Sequence, residues 1–337
     1  MKHLLIFLRN RALFLAPQLF GILLLSFILV KAIPGDPAVL MLGPTATQET
    51  VAELRTKLGL DHSMPVQFFY FLKNLSQGDL GTSWQTTNPV LFDLMERFPA
   101  TLELVSLSLL LAIAIGVPLG VAAASRPRSV FGRIADFYGL GAGAMPDFWL
   151  ALVLIFVFYT ILQIAPAPLG RIDMAIIPPV PVTGFMTIDS LLAGDLDAFF
   201  SAAGHLVLPV LTLGMVNAGP IMKMSFSSTQ RMLAEDFSTY QAVCGLPQSM
   251  ITRHALRNAL PSILTIISVL YGYLLGGAVL VEIVFAWGGA GQYAVQGVLN
   301  ADIYPVLGFV LFSAVFSLVV YLIVDLLHFL IDPRVGR

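Results

Sequence analysis

Charge is what this sequence has least of. Asp, Glu, Lys and Arg supply 11% of its 337 residues, and 57% are hydrophobic. A soluble domain carries about 25% charged residues. The apolar residues come in blocks of about 18 or more, long enough for helices to cross a bilayer. A single cysteine, Cys244, excludes an internal disulfide and any multi-cysteine metal site. It reads as an ordinary small residue. A net charge of −2 leaves no global basic field for nucleic acid. Catalytic motifs are missing too. There is no Gly-x-Ser-x-Gly elbow, no His-Glu-x-x-His, and no phosphate-cradling Gly-x-x-x-x-Gly-Lys-Ser/Thr. The histidines, His3, His62, His205, His254 and His328, are scattered, so no metal site is expected. The chain reads as a non-enzyme without cofactors of its own, and any ATP-driven step needs a partner to hydrolyse the nucleotide.

What is present is an all-α integral membrane pattern. Six apolar segments are expected to span the membrane, at roughly 13–32, 101–124, 137–165, 205–224, 260–286 and 304–330. The first follows a basic N-terminus and resembles a signal peptide core. It is long for one and lacks a small-x-small cleavage site, so it reads as a retained span. The third is interrupted near its start by Gly139, Gly141, Gly143 and Pro146. The chain divides into an N-terminal segment with the first span (1–32), a large loop (33–100) and a core (101–337).

Lys and Arg set the orientation. Lys2, Arg9, Arg11, Arg126, Arg128, Arg133, Lys223, Arg231, Arg253, Arg257, Arg334 and Arg337 fall on one side. The longer loops opposite hold only Arg55, Lys57, Lys73, Arg97 and Arg171. The positive-inside rule puts both termini in the cytoplasm and the 33–100 loop outside. Within that loop "TQETVAELRTKLGL" has the spacing of a short amphipathic helix, with Val51, Leu54, Leu58 and Leu60 near one face. A second outer segment, 166–204, is too rich in proline for a long helix.

Few polar residues fall within the spans. Glu282 lies late in the fifth, where an isolated charge costs about 2.5–3.5 kcal/mol at the bilayer centre. Two readings stay open for it: a pore or gate residue, or a carboxylate holding loop backbone near the interface. Asp147, in "AMPDFWL", is expected to cap the helix that resumes after Pro146 and is a further pore candidate. Gly272, Gly276 and Gly277 are spaced for close helix approach, and Gly276 and Gly277 join the pore candidates.

The segment between the fourth and fifth spans, about 225–258, is longer than a connector needs. Phe237 to Cys244 is compatible with a short helix, Gly245 can end it, and Pro247 prevents continuation. A second amphipathic helix then carries Arg253 and Arg257 one turn apart and leads into the fifth span. Helix, sharp turn and helix tied to a pore suit a docking element for a soluble partner. Pairing of the two arginines with lipid headgroups is the competing reading.

These residues carry a resemblance. "GLPQSMITRHALRNALP" resembles the cytoplasmic loop of ATP-binding-cassette importer permeases of the dipeptide/oligopeptide group, in which Gly-Leu is followed by "RHALRNAL". "IPGDP" (33–37), "GDLGTSW" (78–84), "RFPATLEL" (97–104), "GVPLGV" (116–121), "LPVLTLG" (208–214), "VEIVFAW" (281–287) and "DPR" (332–334) stand in the family's order along nearly the whole chain. The resemblance implies a bacterial or archaeal cytoplasmic-membrane subunit. It would form a pore with a second, similar permease, with two ATP-binding subunits carrying ATP and Mg. An extracytoplasmic binding protein would deliver a peptide or similar solute.

It also implies a coupling helix that enters a groove on the ATPase, formed around Gln241, Gly245, Leu246, Arg253, His254, Arg257 and Asn258. The chain departs from the family pattern in two places. Where the family reads Thr-Ala-Arg-Ala-Lys-Gly, Gln241 replaces alanine, and Ala242 and Cys244 replace basic residues. "WGGAG" (287–291) stands where the family has "WPGLG". A self-sufficient secondary transporter or channel is the alternative, but the inverted repeats and intramembrane polar chains of that class are not evident.

Overall fold

The computed structural model describes residues 2–32, 37–42, 46–57, 59–127, 129–142 and 145–331. The IPGDP stretch and the C-terminal DPR therefore lie outside the described residues, except for Pro37. Among the described residues all regular structure is helical apart from an isolated antiparallel bridge between Thr82 and Pro89. In chain order the helices are α1 (Lys2–Ala32), α2 (Pro37–Leu42), α3 (Gln48–Lys57), α4 (Met64–Ser76), α5 (Val90–Ser125), α6 (Val130–Ala142) and α7 (Asp147–Leu154). The last continues as a π-helical stretch, Ile155–Ile161. Then come α8 (Met186–Leu192), α9 (Leu196–Ala234), α10 (Asp236–Val243), α11 (Gln248–Gly277), α12 (Val279–Val284), α13 (Ala290–Leu299) and α14 (Ile303–Ile331).

Four of these, α5, α9, α11 and α14, are long and apolar enough to cross a membrane, and Leu13–Ile28 and Asp147–Ile161 are shorter apolar helical stretches. The third expected segment does not run unbroken from residue 137. Helix α6 stops at Ala142 and α7 starts at Asp147, because Pro146 cannot donate a backbone hydrogen bond and holds extended angles (φ −65°, ψ 135°). The fifth also differs. α11 begins well before residue 260, passes through Pro261 and ends at Gly277, with α12 a separate short helix. The amphipathic stretch near residue 50 is helical, as α3.

The chain forms two compact units. The first comprises residues 1–98 and 293–316. In it, Phe27 of α1 meets Phe68 of α4 edge-on at 5.2 Å. The segment after α4 is held by two buried carboxylates. Asp302 accepts from the Ser83 hydroxyl (2.6 Å) and Gln85 N–H (3.3 Å). Asp93 accepts from Thr86, Asn88 and the Tyr293 hydroxyl. These contacts show what the serine of "GDLGTSW" does: it ties its loop to the turn before α14.

The second unit comprises residues 99–292 and 317–337. It is built around α9, against which α6, α7, α8 and α11 pack. Asp195 caps α9 by accepting from Ala198 N–H at 2.9 Å. The "GVPLG" landmark acquires a physical meaning on α5. A Cβ on Gly116 would lie 2.8 Å from the Ala218 carbonyl oxygen, and one on Gly120 only 2.4 Å from that of Met222. Two small residues four apart let α5 and α9 touch backbone to backbone. Gly120→Leu is expected to force the helices apart and cost about 3 kcal/mol or more, seen as loss of monodisperse protein after detergent extraction.

The 166–195 segment is fastened by two buried carboxylates. Glu103 accepts from the N–H groups of Met186 and Thr187, both at 3.0 Å, and from the Thr187 hydroxyl. Arg171 approaches it at 3.8 Å. Asp189 accepts from Thr183 N–H and hydroxyl and from Gly184 N–H. Burial pushes the Asp189 carboxyl up, but these hydrogen bonds outweigh it and hold the group below its ordinary value of 3.8. A folded value below the unfolded one adds stability above pH 3.8, which is lost as the pH falls through the lowered value. Limited proteolysis should therefore leave 166–195 intact at neutral pH and cleave it increasingly in acid. Asp189→Asn should be cleaved at neutral pH as well.

Candidate functional site

Two places in the second unit gather the residues singled out from the sequence. The first is the α10–α11 corner. Gly245 has φ +80°, the left-handed region that glycine occupies without strain. Gly245 N–H donates to Ala242 and Leu246 N–H to Gln241, the paired bonds that close a helix C-terminus. Pro247 then starts α11 in extended conformation (φ −66°, ψ 144°).

A side-chain bond crosses the corner. His254 Nδ1 lies 3.1 Å from Gln241 Oε1, within hydrogen-bonding distance. Asn258 donates back to the His254 carbonyl. Ser238 is buried and donates to the Met232 carbonyl, tying α10 to the end of α9. Arg253 and Arg257 are exposed on one face of α11, while Ile251, Ala255 and Ala259 are buried on the other. Tyr240 and Val243 of α10 are 71% and 82% exposed. The corner thus exposes two large apolar side chains on α10 and two cations on α11. Of the residues singled out there, Gln241 lies on α10, Gly245 and Leu246 in the turn, and Arg253, His254, Arg257 and Asn258 on α11.

The second place is a cavity of about 630 Å³, lined in part by Asp147, Phe148, Asn217, Tyr273, Gly276 and Gly277. It brings together three of the four pore candidates. Asp147 does not cap α7: Pro146 holds the N-cap position and there is no side-chain capping bond. A one-residue shift puts the carboxylate in the first turn, where the helix dipole still favours it, and on the cavity wall. A Cβ on Gly276 would meet nothing within 4 Å, whereas one on Gly272 would lie 2.5 Å from the Tyr321 hydroxyl. Of these two, the latter glycine is the one that permits a close helix approach among the described residues. Sequence reasoning missed Asn217, which is buried and donates to the Leu213 carbonyl. A lone buried amide in the fourth apolar segment was the available signal.

Glu282 is not among the residues lining that cavity. It is fully buried, and both its oxygens are used: Oε1 accepts from the Thr101 hydroxyl at 2.6 Å and Oε2 from Gln292 N–H at 2.8 Å. Thr101 in turn accepts from Ala290 N–H, and Trp287 Nε1 donates to the Ala100 carbonyl. A Cβ on Gly289 would sit 2.5 Å from the Glu282 carboxylate. The geometry is that of a carboxylate holding loop backbone. "RFPATLEL", "VEIVFAW" and "WGGAG" converge on it.

A chain with four helices long and apolar enough to cross a membrane, one of which runs from a helical corner to a cavity, has the make-up of a multi-pass membrane protein. The family model described as the binding-protein-dependent transport system inner membrane component matches residues 116–337, and the model for the N-terminal part of such components matches residues 4–105. The chain is 41% identical to the probable D,D-dipeptide transport system permease protein of Escherichia coli, over 98% of this chain and 97% of the relative. It is 37% identical to the dipeptide transport system permease protein of Escherichia coli, over 95% of each. To the di/tripeptide permease protein of Pseudomonas aeruginosa it is 37% identical over 98% of each. The chain belongs to the binding-protein-dependent transport system inner membrane component family. It is a permease subunit of such a system, a transport component rather than an enzyme.

Proposed function

We propose that this permease imports peptides or closely similar small solutes, crosses the membrane six times with both termini in the cytoplasm, and forms its pore with a second homologous permease. In this reading an extracytoplasmic binding protein delivers the solute, and two ATP-binding subunits holding ATP and Mg dock at the α10–α11 corner. Gln241, Gly245, Leu246, Arg253, His254, Arg257 and Asn258 shape that docking site. The lysine and arginine distribution supports the orientation, and the names of the relatives support the solute class.

The observation that carries the coupling assignment is the continuity of α11. One helix of 30 residues starts at the corner and ends at Gly276 and Gly277 on the cavity, about 45 Å along the chain of turns. A push at Arg253 is therefore delivered to the cavity without passing through a loop. Glu282 acts in this scheme by positioning the loop between α12 and α13. Co-purification tests the reading. The assembled ATPase pair should remain with the solubilised permease when residues 236–258 are intact and be lost when that segment is replaced by a flexible linker. Retention in both cases would overturn the docking assignment.

A further inference from the structure

The cavity at α7, α9 and α11 has a definite chemical bias. Asp147 brings a carboxylate that lines the cavity, in the first turn of a helix with no side-chain capping bond. Asn217 gives one of its two amide N–H donors to the Leu213 carbonyl and also carries an acceptor oxygen. No lysine, arginine or histidine is among the lining residues, and the partly exposed rings of Phe148 on α7 and Tyr273 on α11 line the cavity too. A carboxylate, a carbonyl acceptor and aromatic faces are complementary to a cation with several N–H donors. They repel a free carboxylate, and a low-dielectric surrounding strengthens both effects.

We propose that this cavity recognises a primary ammonium group, with Asp147 as the ion-pairing residue, so that a solute passes with its amino end against this subunit. The proposal rests on the import reading above and adds which chemical group this chain contacts.

Two experiments decide it. In proteoliposomes holding the complete transport complex, Asp147→Asn is expected to lower ATP-dependent uptake of a free-amino dipeptide about tenfold. Binding-protein-stimulated ATP hydrolysis should stay at the wild-type level, and Asp147→Glu should restore uptake. Wild-type uptake by Asp147→Asn would overturn the proposal. So would joint loss of uptake and stimulated hydrolysis, because Asp147 would then serve assembly. Absence of uptake by the wild-type complex would instead remove the import reading, and the proposal with it.

The second measurement keeps Asp147 in place. Gly276→Cys, in a Cys244→Ser background within the same complex, puts a thiol on the cavity wall where a side chain meets no neighbour. A cationic methanethiosulfonate is expected to label it about tenfold faster than an anionic one of similar size. Equal rates, or faster anion labelling, would contradict the proposal.

Discussion

Glu282→Ala is expected to abolish recovery of folded protein. The substitution leaves the Thr101 hydroxyl and the Gln292 N–H buried without an acceptor and opens a void where the carboxylate stood. Two unsatisfied buried donors and a cavity cost together about 3–5 kcal/mol, a large part of the total stability of an ordinary domain. Glu282→Gln keeps one acceptor oxygen but turns an amide N–H toward a backbone donor, so it should be destabilised less, by about 1–3 kcal/mol. Thermal unfolding followed by loss of monodisperse detergent-solubilised protein checks the order: wild type, then Gln, then Ala. A gate residue would give the opposite pattern, with normal stability and altered uptake in both variants.

The second large effect is expected at the α10–α11 corner. Gly245→Pro imposes φ near −65° where +80° is required and deletes the N–H that donates to Ala242. The local cost is about 3 kcal/mol, confined to an exposed corner rather than the buried unit. Combined with Arg253→Glu, which reverses an exposed charge, it should leave membrane insertion and yield intact. Substrate-stimulated ATP hydrolysis by the assembled complex should fall to the basal rate. Unchanged stimulation would remove the coupling role from this corner. The double variant and Glu282→Ala thus fail differently, one in function with stability kept and the other in stability itself.

That difference follows how the residues were legible. The corner could be read from the sequence because its signals are local: Gly245 followed by Pro247, then arginines one turn apart. Each acts within a few residues of itself, and the helix boundaries fell within about a residue of expectation. Glu282 was visible as costly, but its partner Thr101 lies 181 residues away. No local pattern says which of two open readings such a carboxylate takes. Glu103 and the "GVPLG" glycines were hidden for the same reason: their meaning is a contact with α8 or α9 that periodicity does not encode. Asp147 was misplaced by a single residue, since an aspartate after proline serves as a cap or as a first-turn residue with equal ease. The apolar periodicity located the long helices, yet it merged α6 with α7 and joined α11 to α12. Hydropathy registers composition, whereas Pro146 and the Gly277–Ala278 break act on the backbone.

In the function proposed above, this chain is one half of a pore whose energy comes from separate ATPase subunits. Reconstitution into proteoliposomes tests it most directly, with uptake of a labelled dipeptide measured for the complete complex, for the complex lacking its ATPases, and for this chain alone under an imposed ion gradient. Accumulation is expected only in the complete complex, with binding protein on one side and ATP on the other. Gradient-driven accumulation by the chain alone would contradict it.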